Sequence, residues 1–348
     1  MNRILAAFFA ATLAIGAGCS SEDSKSPAGT GGENASEKRT LTLYSGRKEE
    51  LVGDLLKDFT KSTGINVEFR GGDSGELAAQ LITEGDASPA DLFFSQDAGA
   101  LGALSEAGLL AELSEESLGV VSPEFRSPEG EWVGTSGRAR VLMYDPKQVS
   151  ELPEGIDGLL DPSWKGKLAF APSNASWQSF VTALRVLRGD EGARTWLEGF
   201  AALNPKAYES NDAIAIAVNK GEIAAGFVNH YYLYELTEEL GADAINAKLH
   251  FFTGEDPGAL INVAGVGILN TSDDAEAAQQ LIDFLLSETG QSYFAEQTFE
   301  YPLRAGVALG ADDLPALADI EHPEIDLSDL DSIAETQALL ESVGLLTL

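Results

Sequence analysis

The sequence predicts an α/β fold of two domains joined by two strands that cross between them. Apolar residues follow strand spacing and helix spacing in turn along most of the chain, the pattern of a sheet covered on both faces. Two long extended runs, 132–144 and 259–268, interrupt that pattern and divide it into blocks. The chain has 348 residues, and about 310 remain beyond its N-terminal segment, enough for two cores.

In chain order, 40–44 reads as a strand and 49–61 as a helix with Leu51, Leu55, Leu56 and Phe59 on one side. A second strand at 65–69, a helix at 75–84 and a third strand at 90–94 follow, then a helix from Ala98. Beyond 132–144 come a strand at 167–170 and helices at 176–187, 192–203 and 213–220. A strand at 223–228 then leads into a helix from Tyr231. The second extended run precedes helices at 275–286 and 290–298, an acidic stretch at 312–331 and a closing helix at 332–345. Crossing at the two runs assigns 39–136 and 266–348 to a first lobe and 137–265 to a second.

The N-terminus has the layout of a secretory leader: Arg3 supplies a basic start, 4–15 is apolar, and Gly16, Ala17 and Gly18 precede Cys19. The apolar run is shorter than the roughly 20 residues of a membrane-spanning helix, so 1–18 is read as a cleaved signal peptide. Cys19, the only cysteine, lies where a bacterial lipoprotein leader is cut and acylated, although Gly16 stands where leucine is usual. Residues 19–38 are rich in Ser, Gly, Glu and Asn and read as a flexible tether. The expected location is therefore outside the cytoplasm, periplasmic or at the cell surface, with the membrane reached only through the lipid.

A lone cysteine excludes an intramolecular disulfide and a thiolate metal cluster. The net charge of −34 excludes nucleic acid as a partner, which calls for clustered Lys and Arg. It keeps the chain soluble and suits a salt-rich habitat. With three scattered histidines, no Gly-x-Ser-x-Gly elbow and no His-Glu-x-x-His, the chain carries no hydrolase machinery. An adhesive surface lipoprotein is a further reading, and it predicts no closure on a small ligand.

In open α/β sheets, ligands bind beyond the carboxyl ends of strands, near helix N-termini. The segments to inspect are 45–48, 95–97, 171–176 and 229–232. The run Asn229, His230, Tyr231, Tyr232, Leu233, Tyr234 resembles the paired-tyrosine motif of bacterial ferric-iron-binding proteins. The segments at 44–48, 88–92 and 137–141 and the turn at Asn174 also resemble their counterparts there, in register from about residue 40 to the C-terminus. The resemblance implies a two-lobed periplasmic-binding-protein fold of type II. It also implies a monomer that hands ferric iron and a synergistic anion, carbonate or phosphate, to the permease of an ABC transporter.

The chemistry of the residues stands beside that resemblance. Ferric ion is small and hard and prefers anionic oxygen, and a bound cation can strip the proton from a phenol that otherwise ionises near pH 10. Tyr231 and Tyr232 at a strand-to-helix turn can both reach one ion; alternatively they are helix-start aromatics on the core, the reading preferred for Tyr234. The resemblance assigns the anion to Asn174, Ala175 and Ser176 before a helix, with Asn211 and Asn229. Helix capping and turn chemistry is the other reading for each.

The chain also departs from the family. Lys48 and Gln96 stand where some members have histidine and glutamate ligands, and Ser176 where others have a third tyrosine. Arg47 matches an arginine that holds carbonate in one branch, and with Arg138 it is expected to clamp the anion. Arg138 and Arg140 have an alternative as interlobe ion-pairing residues. His230 is expected to point away from the tyrosines, and His250 and His322 to be incidental. The rival ligand is an organic or phosphonate anion held by Arg47 and the Asn/Ser turn. A polyamine suits the acidic charge but not Arg47. Hinge closure of the lobes is the expected motion.

Overall fold

The computed structural model describes residues 39–346. The leader at 1–18, Cys19 and the tether at 19–38 lie outside the described residues. Among the described residues no helix is long and apolar enough to cross a membrane.

The first block follows the sequence pattern closely. Strands β1 (Thr40–Ser45), β2 (Asn66–Gly71) and β3 (Leu92–Ser95) alternate with helices α1 (Glu49–Thr63), α2 (Ser74–Glu84) and α3 (Ala98–Glu106). β1 lies parallel between β2 and β3, and Leu41, Leu43, Phe93 and Phe94 are fully buried. α1 stops at Gly64, whose φ of 78° is the left-handed C-cap that glycine adopts freely. Asp73 and Asp97 cap α2 and α3 by accepting backbone N–H bonds. The short helix α4 (Glu115–Leu118) then leads to β4 (Trp132–Tyr144).

The second block holds β5 (Leu168–Phe170), α5 (Ala175–Ala202), β6 (Lys206–Ala207), α6 (Asn211–Asn219), β7 (Ala225–Asn229), α7 (Tyr231–Leu240) and β8 (Lys248–His250). The two helices expected between 176 and 203 abut as α5, with Gly189 at φ 70°, ψ 165° breaking the helical run between them. Their inner faces close on an aromatic core in which Trp196 stacks on Phe200, one turn away, at 5.2 Å. The chain then returns through β9 (Ile261–Ile268), α8 (Ala275–Leu285), α9 (Glu288–Thr298), β10 (Tyr301–Pro302) and α10 (Ile333–Ser342).

The strands form one sheet in the order β2-β1-β3-β9-β4-β7-β5-β6, with β8 and β10 also on β4. β4 is the shared strand. Residues 132–139 pair with β9, whereas 140–144 pair with β7. Burial along nearly its whole length explains why it reads as an unbroken run rather than an alternation. Among the described residues β9 pairs only with β3 and β4, so the second passage between the halves falls just before it, at the turn Pro257–Ala259. The passages touch where Arg140 N–H donates to the Leu260 carbonyl at 2.9 Å.

The C-terminal segment spans both halves. The turn Leu327–Asp331 packs on α3 so closely that a Cβ at Gly99 or Gly102 would collide with the carbonyls of Leu330 and Ser328. α10 lies instead against α5 of the second half. There the hydroxyls of Thr182 and Thr336 bond at 2.8 Å, and Arg185 donates to Ser332 and Thr336. Leu339, Leu340 and Leu345 join the second core.

Candidate metal and anion site

The crossing point of β4 positions the site. Side chains two apart on a strand share a face, so Arg138 and Arg140 emerge side by side, one from each part of β4. They line a cavity of about 80 Å³ with Tyr231, Tyr232, Asn174, Ala175, Ser176 and Asn229. Gln96, Asp97, Ser179, Leu260 and Asn262 complete its walls.

The tyrosines open α7 immediately after β7 ends. Their rings lie 4.4 Å apart at 36°. Burial raises both phenol pKa values, that of Tyr232 well above its ordinary value, with Tyr231 adding to the shift. Arg138 works the other way on Tyr231. Both are therefore neutral phenols near pH 7.

His230, between β7 and the tyrosines, turns away from the cavity. Its Nδ1 accepts the Ala139 N–H at 3.1 Å, so its Nε2 carries the proton and donates to the Phe299 carbonyl at 2.8 Å. Burial lowers its pKa to about 4. The imidazole is thus a neutral strut tying the β4 crossing to the end of α9. Phe299 meets it in the left-handed region, at φ 53°.

Opposite lies the turn before α5. Asn174 caps that helix, its Oδ1 accepting from Ser176 N–H at 3.0 Å and Ser176 Oγ at 2.6 Å. Asn211, fully buried, donates to Asn174 Oδ1 at 3.2 Å and Ser176 Oγ at 3.0 Å. It stands behind the cavity rather than in its lining, and it fixes the turn. Capping and lining therefore coincide at Asn174, the two readings that sequence left open.

The arginines differ sharply from one another. Arg47, 1% exposed, is not a lining residue: its guanidinium grips Glu300 through two 2.7 Å bonds and donates to Gln96 at 2.9 Å. Burial pushes the Glu300 carboxyl up, but Arg47 outweighs it and holds the pKa below its ordinary value. Ser136 and Thr298 also donate to that carboxylate. Arg140, 3% exposed, donates through Nη1 to Ser176 Oγ at 2.9 Å and Asn229 Oδ1 at 3.4 Å. Its Nε and Nη2, like Nε of Arg138, have no hydrogen-bond partner among the described residues. Burial lowers the Arg140 pKa to about 9.

Lys48 is exposed, and Gln96 is half-buried with its amide oxygen taken by Arg47. Glu300 carried no local signal in the sequence. Asp97, at the end of the 95–97 segment marked for inspection, caps α3 and lines the cavity, and burial raises its pKa against the pull of Arg138. Glu235, one turn after Tyr231, has its pKa pushed up to about 7 by burial and then by Asp212 and Glu300. Arg140, which the sequence offered with Arg138 as an interlobe ion-pairing residue, bonds instead to the neutral Ser176 and Asn229.

Comparison with known proteins identifies the architecture. The model of the bacterial extracellular solute-binding protein family matches residues 87–323. An Fe(3+)-binding periplasmic protein of Serratia marcescens is 34% identical over 319 residues, covering 91% of this chain and 94% of that protein. The structure of iron-bound HitA from Pseudomonas aeruginosa is 38% identical with a TM-score of 0.81, covering 88% of this chain and 100% of that one. A Trichodesmium protein in complex with iron and citrate is 31% identical with a TM-score of 0.77, covering 88% and 99%. The fold is the two-lobed α/β fold of type II periplasmic binding proteins, and the chain is a binding protein rather than an enzyme. It belongs to the family of bacterial extracellular solute-binding proteins.

Proposed function

We propose that this chain is the substrate-binding component of an ABC transporter, carrying ferric iron with a synergistic anion, carbonate or else phosphate. The observation that carries the reading is the pairing of Tyr231 and Tyr232 with two buried arginines around one small cavity. Phenolates meet the preference of a hard trivalent ion for anionic oxygen. The anion then lies at the α5 N-terminus, against the turn of Asn174, Ala175 and Ser176 and beside Asn229 and Arg138; the Ser176 N–H and hydroxyl are already given to Asn174 Oδ1 and hold the turn in place. Arg47 and Asn211 act from behind, by fixing Gln96 and the Asn174 turn.

Cavity size favours this ligand. About 80 Å³ suits an ion with an anion of about four or five heavy atoms, whereas drug-sized ligands occupy about 300–1,000 Å³. The names of the relatives, an Fe(3+)-binding protein and an iron-bound HitA, point the same way. We place the lobe boundaries near 139/140 and 260/261, a few residues inside the 136/137 and 265/266 expected from the sequence, because β9 pairs with the part of β4 before residue 140; the first lobe is then 39–139 and 261–346 and the second 140–260, with α10 resting on the second. Ligand bridges the lobes, they close by rotation near Ala139 and Leu260, and the closed monomer docks on a permease. Signal cleavage after 18, acylation of Cys19 and a tether to 38 keep it at the outer face of a membrane.

A second reading, a small organic or phosphonate anion alone, is favoured by the unpaired arginines. Loading the purified protein with ferric ion and bicarbonate separates the two. A visible phenolate-to-iron band that vanishes in the Tyr231→Phe/Tyr232→Phe variant supports iron. A colourless protein supports the rival.

A further inference from the structure

The helix that opens with the two tyrosines has a second working face. Tyr231 and Tyr232 line the small cavity, whereas Leu233, Tyr234, Thr237 and Glu238 of α7 line a much larger one, of about 750 Å³. That volume lies within the roughly 300–1,000 Å³ of small-molecule sites. Its other walls come from both lobes. Lys248 and Leu249 of β8 belong to the second, while Phe299, Ala311 and Asp313 stand on the first.

The larger cavity flanks the same crossing of β4. Asn229, just before α7, pairs with Arg140, and Tyr301, two residues after Phe299, pairs with Gly137. The two walls are tied where His230 Nε2 donates to the Phe299 carbonyl and the Phe299 ring stacks on Tyr234 at 5.8 Å. His230 N–H in turn donates to the Ala139 carbonyl at 3.0 Å. Rotation about Ala139 and Leu260 that parts the tyrosines from the first lobe therefore swings the other face of α7 toward Phe299 and Asp313. The small cavity is shut, with Tyr231 9% exposed, while the larger one stands open. Release of ligand from the first thus requires the second to shrink.

The walls also define what fits. Leu233, Ile245, Leu249, Phe251 and Phe299 give the larger cavity an apolar lining. Two carboxylates, Glu238 and Asp313, line it against one ammonium, Lys248, in a chain of net charge −34. A cation is preferred there over an anion. We infer that this cavity is an allosteric site for a small amphiphilic amine, whose presence wedges the lobes in the closed, ligand-holding arrangement. The site lies beyond the proposed ferric role and rests on that reading only where iron affinity is the readout. An occupant that fits the closed form better than the open one must strengthen ligand binding by the same factor as ligand strengthens its own.

Three matched probes test the site: 4-phenylbutylamine, 4-phenylbutanol and 4-phenylbutyrate, titrated by calorimetry into full-length protein with and without ferric ion and bicarbonate. The amine is expected to bind with a midpoint on the order of 1 mM, the alcohol more weakly and the butyrate most weakly. Iron-loaded protein should bind the amine about fivefold more tightly than empty protein, and saturating amine should raise ferric affinity by the same factor. Amine alone should shift the X-ray scattering of empty protein toward the compact, closed form. Ala311→Phe fills the cavity from the first lobe, so it should lose amine binding and hold iron about fivefold more tightly without any probe. Asp313→Asn should remove the preference for amine over alcohol. Equal amine binding by loaded and empty protein overturns the inference, as does tighter binding of the butyrate or undiminished amine uptake by Ala311→Phe. Should Ala311→Phe not fold, the probe series, the scattering and Asp313→Asn decide alone. Compaction by amine in a protein that takes no iron counts against the iron reading and leaves the wedge standing. Iron binding without compaction by amine overturns the wedge, and so the two failures are told apart.

Discussion

The cavity has arginine behind one wall and within the other, and the two are used in opposite ways. Arg47 is buried beside Glu300, with matched charges and each oxygen of the carboxylate engaged, and only its Nε is without a partner among the described residues. Arg140 is buried as deeply, yet only one of its three nitrogens has a partner there. A charge-matched buried pair holds a structure in one arrangement, since removing either member strands the other charge. A buried cation with few partners is instead a cost to the folded state. The first lobe thus supplies a charge-matched, rigid wall, and the second a wall whose cation Arg140 is held by neutral groups alone.

The largest effect is expected at the two phenols of the cavity. Tyr231→Phe/Tyr232→Phe is expected to lower ferric affinity by more than about a thousandfold with unchanged circular dichroism. Retained affinity by competition with a chelator would remove the tyrosines from the site. Because burial holds both phenols protonated, each iron bound releases up to two protons. Affinity should therefore fall as pH falls, by up to about a hundredfold per pH unit; a flat profile between pH 8 and 6 would show that the phenols do not ionise.

Glu300→Gln attacks the rigid wall. It leaves Arg47 buried without a counter-charge and should cost about 3–5 kcal/mol in urea unfolding, with little change in the anion midpoint. A large midpoint change without loss of stability would exchange the roles of the two walls. His230 probes the strut between the lobes. Its folded pKa, near 4, lies below the ordinary value of 6.5, so its contribution is present above pH 6.5 and lost as pH falls toward 4. That loss amounts to roughly 3 kcal/mol and should be absent from the unfolding profile of His230→Gln. The smallest effect is expected of Arg140→Met in the empty protein. Replacing an unpaired buried cation by an apolar chain should leave stability unchanged or raise it by about 1 kcal/mol, and a large loss would mean that Arg140 is structural.

Legibility in the sequence followed the range of the interaction. The β4 run, the strand–helix alternation and the Tyr231–Tyr232 turn are local patterns, and the structure has β4 at the residues where the extended run was read. β8 and β10 were not seen, because two or three residues that pair with β4 carry no period of their own. Arg47 read as a ligand clamp because its local motif resembled one. Its partner Glu300 lies at the far end of the chain, where nothing in the neighbouring residues announces it. Arg140 shows the reverse case: its spacing from Arg138 was visible, but its lack of a partner is a property of three-dimensional packing.

The placement of α10 ties the two halves together. Leu339, Leu340 and Leu345 close the core around Trp177, Phe180 and Trp196, although they lie far from those residues along the chain. Without them the aromatic cluster of α5 has an open side, and without the turn at 327–331 the face of α3 at Gly99 and Gly102 is bare. One segment thus completes both halves, so loosening it exposes apolar surface in each at once.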